Sequence, residues 1–229
     1  MKDIFERSRQ LLGNENFEEL RSGHVFVCGL GGVGGTAAMA LARGGIGKMT
    51  ICDFDVVEES NLNRQLLFNL DSLGKPKTDE AKKSLESAVP GIEIKALNAK
   101  FDRDFAEKLD WESFDYVIDA IDDIPAKIEL IKAAQKHNVP IVVSLGMGNR
   151  LDPTQVTLTK LSKTEGDPLA KKMRYLCREG GIVLSSVDVC FSKETPVMKS
   201  PVPGSMMMVP SAAGLAMAYH VLFFFLKKS

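Results

Sequence analysis

The stretch that decides the fold is HVFVCGLGGVGGTAAMALARGGIGKMTICD, residues 24–53. It predicts an apolar strand, a glycine cluster, an alanine-rich helix and a second apolar strand that ends at Asp53. Gly29, Gly31 and Gly34 fit the G-x-G-x-x-G spacing, which lets a backbone turn tightly and approach a phosphate. The helix N-terminus offers free N–H groups, and an acid after the second strand can bind ribose hydroxyls. These features together predict a nucleotide site.

Outward from this stretch, strand and helix patterns alternate as far as about Gly146. Such alternation is typical of an α/β protein, so we expect a Rossmann-like, mostly parallel sheet with helices on both faces. Beyond it, residues 155–159 and 183–191 predict antiparallel strands on either side of a basic helix, residues 168–178. We predict one domain over residues 1–229, divided into N-terminal helices (1–22), a nucleotide-binding core (23–146) and a C-terminal, substrate-side extension (147–229).

Composition and charge exclude several classes of protein. The 229 residues include 29 Lys and Arg against 30 Asp and Glu, a formal net charge of −1, and 45% are hydrophobic. These values are typical of a globular protein and exclude a collagen-like, disordered or disulfide-dense chain. A near-neutral chain can attract nucleic acid only through a local basic surface. The four cysteines form no C-x-x-C pair, which argues against a zinc knuckle or a thioredoxin-type site.

Both ends of the chain bear on its location. The N-terminal sequence MKDIFERSRQ is charged where a signal peptide is apolar, so we expect a cytoplasmic protein. The segment 206–226 contains no Lys, Arg, Asp or Glu and is long enough to span a bilayer. Pro210, Ser211, Gly214 and His220 lower the hydrophobicity of this segment. We therefore favour a helix buried against the sheet over membrane association.

Polar residues after the second strand favour a triphosphate over a dinucleotide. The sequences SNLNRQ (60–65) and GKPK (74–77) place an amide, a guanidinium and an ammonium near the glycines. Extra fixed cations suit a triphosphate, whose charge must be neutralised while pyrophosphate leaves. The sequence DAIDD (119–123) supplies carboxylates of the kind that hold Mg²⁺. We therefore expect ATP and Mg²⁺ as cofactors.

These motifs resemble a known superfamily. The glycine loop, DFDVVEESNLNRQ, GKPK and VIDAIDD are similar to the ThiF-type adenylating domain of ubiquitin-activating enzymes and of the bacterial activators of thiamine and molybdopterin sulfur carriers. Within that superfamily, SRQLLG, LGMGNRLDPTQVTLTKLSKTEGDPLAKKMR and VDVCFSKE resemble the tRNA threonylcarbamoyladenosine dehydratases. Sulfur-carrier activators often have two zinc-binding C-x-x-C pairs, which this sequence lacks.

The resemblance implies a role for each matching residue. Arg9 matches an arginine that reaches the nucleotide of the partner subunit in relatives, which implies a homodimer. Asp122 is the implied Mg²⁺-linked carboxylate and so the predicted metal ligand. The implied ATP-binding residues are Gly29, Gly31, Gly32, Gly34, Asp53, Asp55, Asn61, Arg64, Lys77 and Asp122. The implied catalytic set is Arg9, Asn61, Arg64, Lys77 and Asp122.

The activity that the resemblance implies is ATP-dependent adenylation of a carboxylate. The carboxylate belongs to the N6-threonylcarbamoyl group of a tRNA adenosine, and an intramolecular attack then expels AMP, so that the net reaction is a dehydration. Three alternatives stay open: adenylation of the C-terminal Gly-Gly of a ubiquitin-like sulfur carrier, an NAD-dependent oxidoreductase, and a nucleotide-binding protein without catalysis. Cys177 and Cys190 are assigned no catalytic role.

The implied partners are tRNA and a protein of a sulfur-carrier or cysteine-desulfurase system. The strongest RNA candidate is a basic face of the helix at residues 168–178, formed by Lys171, Lys172, Arg174 and Arg178. We expect Leu169, Met173 and Leu176 to anchor this helix to the core. The alternative is an ordinary solvated helix face.

Overall fold

Seven strands form one sheet in the computed structural model, which describes residues 3–198, 200 and 202–226. The strands are β1 (His24–Cys28), β2 (Lys48–Asp53), β3 (Glu93–Asn98), β4 (Tyr116–Asp119), β5 (Ile141–Ser144), β6 (Val156–Lys160) and β7 (Asp188–Ser192). Their order is β3-β2-β1-β4-β5-β7-β6, and every neighbouring pair is parallel except β6 with β7. The predicted α/β fold is confirmed.

Helices cover both faces of this sheet. They are α1 (Glu6–Leu12), α2 (Asn14–Ser22), α3 (Gly32–Gly44), α4 (Lys77–Ala88), α5 (Arg103–Ala106), α6 (Ile124–Lys136), α7 (Pro168–Glu179) and α8 (Met208–Leu226). Short 3-10 helices lie at Glu59–Asn61, Leu70–Ser72, Trp111–Ser113, Pro153–Gln155, Leu161–Lys163 and Leu184–Ser186. The predicted N-terminal helices are present as α1 and α2, which meet at Gly13.

Two hydrophobic cores, one on each face, hold the helices to the sheet. The strands β1, β4 and β5 are buried along their whole length, as expected for parallel strands covered on both sides. Successive side chains alternate between the faces. Val25 and Val27 belong to the core that includes α3, α4 and α8, whereas Phe26 belongs to the core that includes α6 and α7.

The predicted strand at residues 183–191 is only partly correct. The strand β7 begins at Asp188, and the preceding residues form a 3-10 helix, Leu184–Ser186. The reason is local, because the Ser186 hydroxyl donates to the Val183 carbonyl at 2.7 Å and closes a turn. Moreover, β7 is antiparallel to β6 and parallel to β5, so the C-terminal part of the chain extends the main sheet.

The apolar C-terminal segment forms α8, which lies against α3 and the sheet. The helices approach closely at Gly214, where a Cβ would lie 2.5 Å from the Val33 carbonyl oxygen. The Cys190 thiol of β7 contacts the Ala213 carbonyl at 3.8 Å. The length and apolar composition of α8 also meet the criteria for a membrane span, although a buried core helix meets them equally well. The predicted burial is confirmed for one face, and the cytoplasmic location stays a prediction.

Two predicted segments extend beyond the described residues. The N-terminal segment 1–22 includes residues 1–2, and the C-terminal extension 147–229 includes residues 199, 201 and 227–229, all outside the described part.

Candidate active site

A cavity of about 490 Å³ opens at the carboxyl ends of the central strands. It lies where the order of parallel strands reverses, between β1 and β4, which is the usual place for a ligand crevice in an open α/β sheet. The predicted residues that line it are Gly29, Gly31, Gly32, Asp53, Asp55, Asn61, Arg64, Lys77 and Asp122. The structure therefore brings together nearly the whole predicted ATP set.

The loop glycines serve two different purposes. Gly29 has φ +90°, and a Cβ there would lie 2.5 Å from the Ala120 carbonyl oxygen. Gly34 does not line the cavity, because it packs behind the loop, where a Cβ would overlap the Gly29 carbonyl oxygen. Gly31 is different: its φ is −70°, and the nearest atom to a Cβ would be Gln65 Nε2 at 3.9 Å. Neither its backbone nor its packing requires glycine, so the open space above it fits a ligand that approaches the backbone.

The Asp53 carboxylate fixes the turn that carries this loop. Its Oδ2 accepts from the Leu30 N–H at 2.7 Å and its Oδ1 from the Asp55 N–H at 2.9 Å. Burial raises the pKa of the Asp53 carboxyl, and the two N–H donors oppose that shift. The Asp53 carboxylate lies on the cavity wall, where its remaining lone pairs can accept hydrogen bonds from ribose hydroxyls.

Lys77 brings a buried positive charge to the cavity. It is the first residue of α4, and its Nζ lies 2.7 Å from Asp55 Oδ2. A cation in a partly dehydrated site acts more strongly on a phosphate than the same cation in water. Asp55, predicted to bind nucleotide, contacts Lys77 in this structure and so orients the ammonium.

Asn61 and Arg64 line the cavity but are bonded within their own loop. The Asn61 amide accepts from the Glu58 N–H at 3.2 Å and donates to the Ser60 hydroxyl at 3.3 Å. The Arg64 guanidinium donates to the Ser60 carbonyl at 2.6 Å and to Asn63 Oδ1 at 2.9 Å. For Arg64 to bind a phosphate, it must exchange these loop contacts for the ligand.

The chemistry of the carboxylates after β4 fits Mg²⁺ at Asp122. Asp119 is fully buried and accepts from Lys127 Nζ at 2.9 Å and from the Ile121 N–H at 3.0 Å. Asp122 is exposed on the cavity wall. Among the described residues no group of three or more His, Cys, Asp and Glu could enclose a metal ion. A single carboxylate suits Mg²⁺, which takes its other ligands from phosphate and water.

Arg9 lies outside the cavity of its own chain. On α1 it pairs with Asp3 at 2.9 Å and with Glu18, and its guanidinium lies 4.1 Å from the centroid of the Phe17 ring. The structure therefore does not bring Arg9 to the other predicted site residues. Its implied action on a partner subunit stays a prediction.

The individual residues of the C-terminal wall of the cavity were not among the predicted site residues. This wall contains Met147, Gly148, Leu169, Val202 and Pro203. We call residues 194–205, of which 199 and 201 are not described, the strap. One signal in the sequence was Asn149, a residue type that tolerates the left-handed conformation it adopts here, with φ +59°.

Asn149 holds the strap at two points. Its N–H donates to the Gly204 carbonyl at 2.7 Å, and its Oδ1 accepts from the Gly204 N–H at 2.7 Å. Its carbonyl accepts from the Val197 N–H at 2.8 Å. These three bonds position the strap residues that line the cavity.

A buried ion pair joins the strap to α7. Arg150 pairs with Asp167, and the two side chains are 3% and 2% exposed. Arg150 Nε also donates to the Glu194 carbonyl at 3.1 Å, while Asp167 caps α7 by accepting from the Ala170 N–H at 2.6 Å. The start of α7 is therefore fixed to the cavity wall.

The predicted basic face of α7 needs one correction. Arg174 donates to the Thr164 carbonyl at 2.7 Å and also to its hydroxyl, and it is half-buried. It therefore holds the preceding loop and is not available to a partner. The predicted anchors are confirmed, because Met173 is buried and the half-buried Leu169 and Leu176 pack against the same core, to which α7 also contributes Ala170 and Cys177.

Neither cysteine considered in the sequence is suited to nucleophilic attack. Burial raises the pKa of Cys177 to about 11 and that of Cys190 to about 12. The thiolate is the reactive form, and it is scarce at neutral pH for both residues.

Comparison with known proteins supports the family resemblance that the sequence motifs indicated. A sequence profile described as the ThiF family matches residues 5–229. The tRNA threonylcarbamoyladenosine dehydratase of Bacillus subtilis (strain 168) is 38% identical and is matched over 97% of this chain and 94% of its own. That of Escherichia coli (strain K12) is 35% identical over 84% of this chain and 74% of its own.

A solved structure agrees with the sequence comparisons. The E. coli tRNA N6-threonylcarbamoyladenosine dehydratase in complex with ATP superposes with a TM-score of 0.94 at 33% identity, covering 99% of this chain and 95% of that chain. The resemblance inferred from the motifs is thereby confirmed. The chain belongs to the ThiF family and is similar, over nearly its whole length, to the tRNA threonylcarbamoyladenosine dehydratases.

Proposed function

We propose that the protein uses ATP to adenylate the carboxylate of an N6-threonylcarbamoyl group on a tRNA adenosine, and that ring closure then completes a dehydration. The observation that carries the proposal is the cavity, in which the open space at Gly31, the buried ammonium of Lys77 and the carboxylate of Asp122 share one volume. The relatives named as dehydratases and the ATP complex of one of them support this substrate and cofactor.

ATP is bound by backbone and side chains together. The N–H groups at the start of α3 donate hydrogen bonds to phosphate oxygens, and the ribose hydroxyls donate hydrogen bonds to the Asp53 carboxylate. This arrangement favours ATP over NAD, because Lys77 adds a fixed cation that a dinucleotide does not need. Mg²⁺, held through Asp122, would neutralise the phosphate oxygens.

The first chemical step is attack by a carboxylate oxygen of the substrate on the α-phosphorus, with loss of pyrophosphate. Lys77 stabilises the charge that builds on the phosphates, and Asp55 keeps the ammonium oriented. Arg64 adds a second cation once it leaves Ser60 and Asn63. In the second step another group of the same substrate molecule attacks the carbonyl carbon of the acyl-adenylate. The bond from that carbon to AMP breaks, AMP leaves and the ring closes. The protein supplies no nucleophile, in agreement with the raised pKa values of Cys177 and Cys190.

The C-terminal wall is the proposed substrate side. Met147, Leu169, Val202 and Pro203 give it an apolar lining. An apolar lining suits a nucleobase, which buries its flat face against such side chains. This continuation of the cavity supports residues 147–229 as the substrate-side extension.

We also propose a homodimer in which Arg9 reaches the nucleotide of the other subunit. The support is its position, since Arg9 lies outside its own cavity and is held at the surface by Asp3 and Glu18. A sulfur-carrier or cysteine-desulfurase partner stays a prediction, and the lack of C-x-x-C pairs weakens it.

The test is ATP–pyrophosphate exchange with three additions: tRNA that bears the threonylcarbamoyl group, the same tRNA after nuclease digestion, and a carrier protein ending in Gly-Gly. We expect exchange with the intact tRNA and a strong loss after digestion. Exchange with the carrier protein alone would assign the activity to the sulfur-carrier alternative. ATP binding without exchange on any carboxylate would contradict an adenylating enzyme.

A further inference from the structure

The exposed side of α7 combines positive charge with an aromatic ring. Because Ala170, Met173 and Cys177 are buried, the opposite side of the helix faces outward. Lys171, Tyr175 and Arg178 lie there within about 60° of one another at 100° per residue. We call Lys171, Lys172, Tyr175 and Arg178 the α7 outer face; all four are exposed.

The charges on this face are not neutralised by neighbours. Among the described residues, Lys171, Lys172 and Arg178 have no carboxylate within 4.0 Å, although Glu179 ends the same helix. Other surface lysines do have one, for example Lys83 with Glu80 at 2.6 Å and Lys48 with Glu93 at 2.9 Å. An uncompensated group of cations is suited to a polyanion.

Tyr175 offers a free aromatic surface in the middle of these cations. Its side chain is 61% exposed, and no ring among the described residues stacks on it. A base stacks on such a ring only where it is not already stacked in a duplex. The combination of ring and cations therefore fits a single strand or a loop.

The helix that carries this face also contributes to the cavity wall. Leu169, in the first turn of α7, lines the cavity wall, and Arg150 fixes the helix start through Asp167. Tyr175 lies six residues further, about 9 Å along the axis at 1.5 Å per residue and about 120° around it at 100° per residue. A strand whose target nucleotide enters the cavity can reach Tyr175 with a nucleotide close to it in sequence.

We propose that the α7 outer face binds unpaired RNA beside the target nucleotide, with Tyr175 stacking on a base and Lys171, Lys172 and Arg178 contacting phosphates. The proposal rests on the proposed function and adds the RNA-binding surface and its mode of binding. It selects loops over duplexes, because a duplex presents no free base face. Arg174 takes no part, since Thr164 already engages it.

The experiment separates stacking from charge with four variants. Tyr175→Ala removes the ring, and Tyr175→Phe keeps it. Lys171→Glu with Arg178→Glu reverses two charges. Lys95→Glu with Lys108→Glu makes the same change in net charge at two exposed lysines on β3 and beyond α5, and serves as the matched control. Binding to substrate tRNA, to an unstructured RNA oligonucleotide and to an RNA duplex is measured over a range of salt concentrations.

We expect Tyr175→Ala to weaken binding of tRNA and oligonucleotide by about 5- to 140-fold, the range for loss of one stacked base. Tyr175→Phe keeps wild-type binding within about twofold, since the ring still stacks. The double reversal at Lys171 and Arg178 lowers the slope of log affinity against log salt by about 1.4, at about 0.7 per lost phosphate contact. The control pair leaves the slope unchanged. ATP binding and thermal melting verify that every variant is folded.

The outcomes distinguish this proposal from the proposed function. If wild type converts tRNA and all variants bind it equally well, the α7 proposal is wrong and the proposed function stands. Equal loss in Tyr175→Ala and Tyr175→Phe, or equal loss on duplex RNA, would also overturn it. If wild type activates only a carrier protein and the α7 reversal weakens that complex, the face is a protein surface and both proposals fail.

Discussion

Replacement of Gly31 by alanine is expected to separate ligand binding from folding. A Cβ at Gly31 would meet no protein atom closer than Gln65 Nε2 at 3.9 Å, and the backbone angles, φ −70° and ψ −158°, are open to alanine. The free energy of unfolding without ligand should therefore be unchanged or rise by about 0.4–1 kcal/mol, because alanine restricts the unfolded chain. The new methyl group would instead occupy the space through which the loop N–H groups reach a phosphate.

The size of the effect on ATP follows from hydrogen-bond geometry. A backbone N–H holds an oxygen at an N···O distance of about 2.7–3.2 Å, which leaves no room for a methyl group in between. Loss of one hydrogen bond to a charged group costs about 1.5–3 kcal/mol, or about tenfold or more in Kd. At ATP concentrations 100 times the wild-type Kd, the ligand stabilises wild type by about 2.7 kcal/mol and a tenfold weaker variant by about 1.4 kcal/mol.

Thermal melting with and without ATP measures both quantities. At about 2–4 °C per kcal/mol for a chain of this size, ATP should raise the wild-type Tm by about 5–11 °C and the Gly31→Ala Tm by about 3–6 °C. The matched control is Gly34→Ala, whose Cβ would overlap the Gly29 carbonyl oxygen, so that its Tm falls even without ATP. An undiminished ATP shift in Gly31→Ala would show that no phosphate approaches this loop. A collapse of its ligand-free Tm would refute the packing argument.

Three further predictions concern the other predicted site residues. Arg64→Ala and Lys77→Ala are each expected to lower kcat by roughly 10²-fold, the scale for loss of a charge-stabilising donor, and unchanged turnover in both would remove the triphosphate argument. Asp53→Ala should weaken ATP binding by about 1.5–3 kcal/mol in calorimetry, whereas an unchanged Kd would mean that its carboxylate only holds the Leu30 and Asp55 N–H groups. A mixture of Arg9→Ala with Lys77→Ala should recover about a quarter of wild-type exchange if Arg9 acts across the dimer, because half of the dimers then contain one intact site. No recovery would show that Arg9 acts within its own subunit, and full exchange by Arg9→Ala alone would place Arg9 outside the reaction.

The glycine loop and Asp53 were predictable because they are contiguous in sequence. The glycines and Asp53 lie within one strand–turn–helix–strand stretch, so that local pattern alone brings them together. Even here the sequence could not distinguish Gly31, which faces the cavity, from Gly34, which packs against Gly29. The distinction depends on what lies opposite each Cα, and that is a property of the folded chain.

The C-terminal side was not predictable to the same degree, for two physical reasons. Its wall joins residues from three separate segments, such as Met147, Leu169 and Val202, and no local pattern pairs them. The basic face of α7 was also predicted only in part, because its helical pattern does not show that Arg174 donates to the Thr164 carbonyl of the preceding segment.

The ion pair between Arg150 and Asp167 restricts how this wall can change by mutation. Loss of one partner would leave a charge buried without a counter-ion, at a cost of about 3–5 kcal/mol. That is a large part of the roughly 5–15 kcal/mol that keeps a typical domain folded. Exchange of both residues for well-packed apolar side chains can be nearly neutral, yet each route to it by single substitutions passes through a poorly folded protein. In related chains we therefore expect residues 150 and 167 to covary, so that a substitution at one position is accompanied by a substitution at the other.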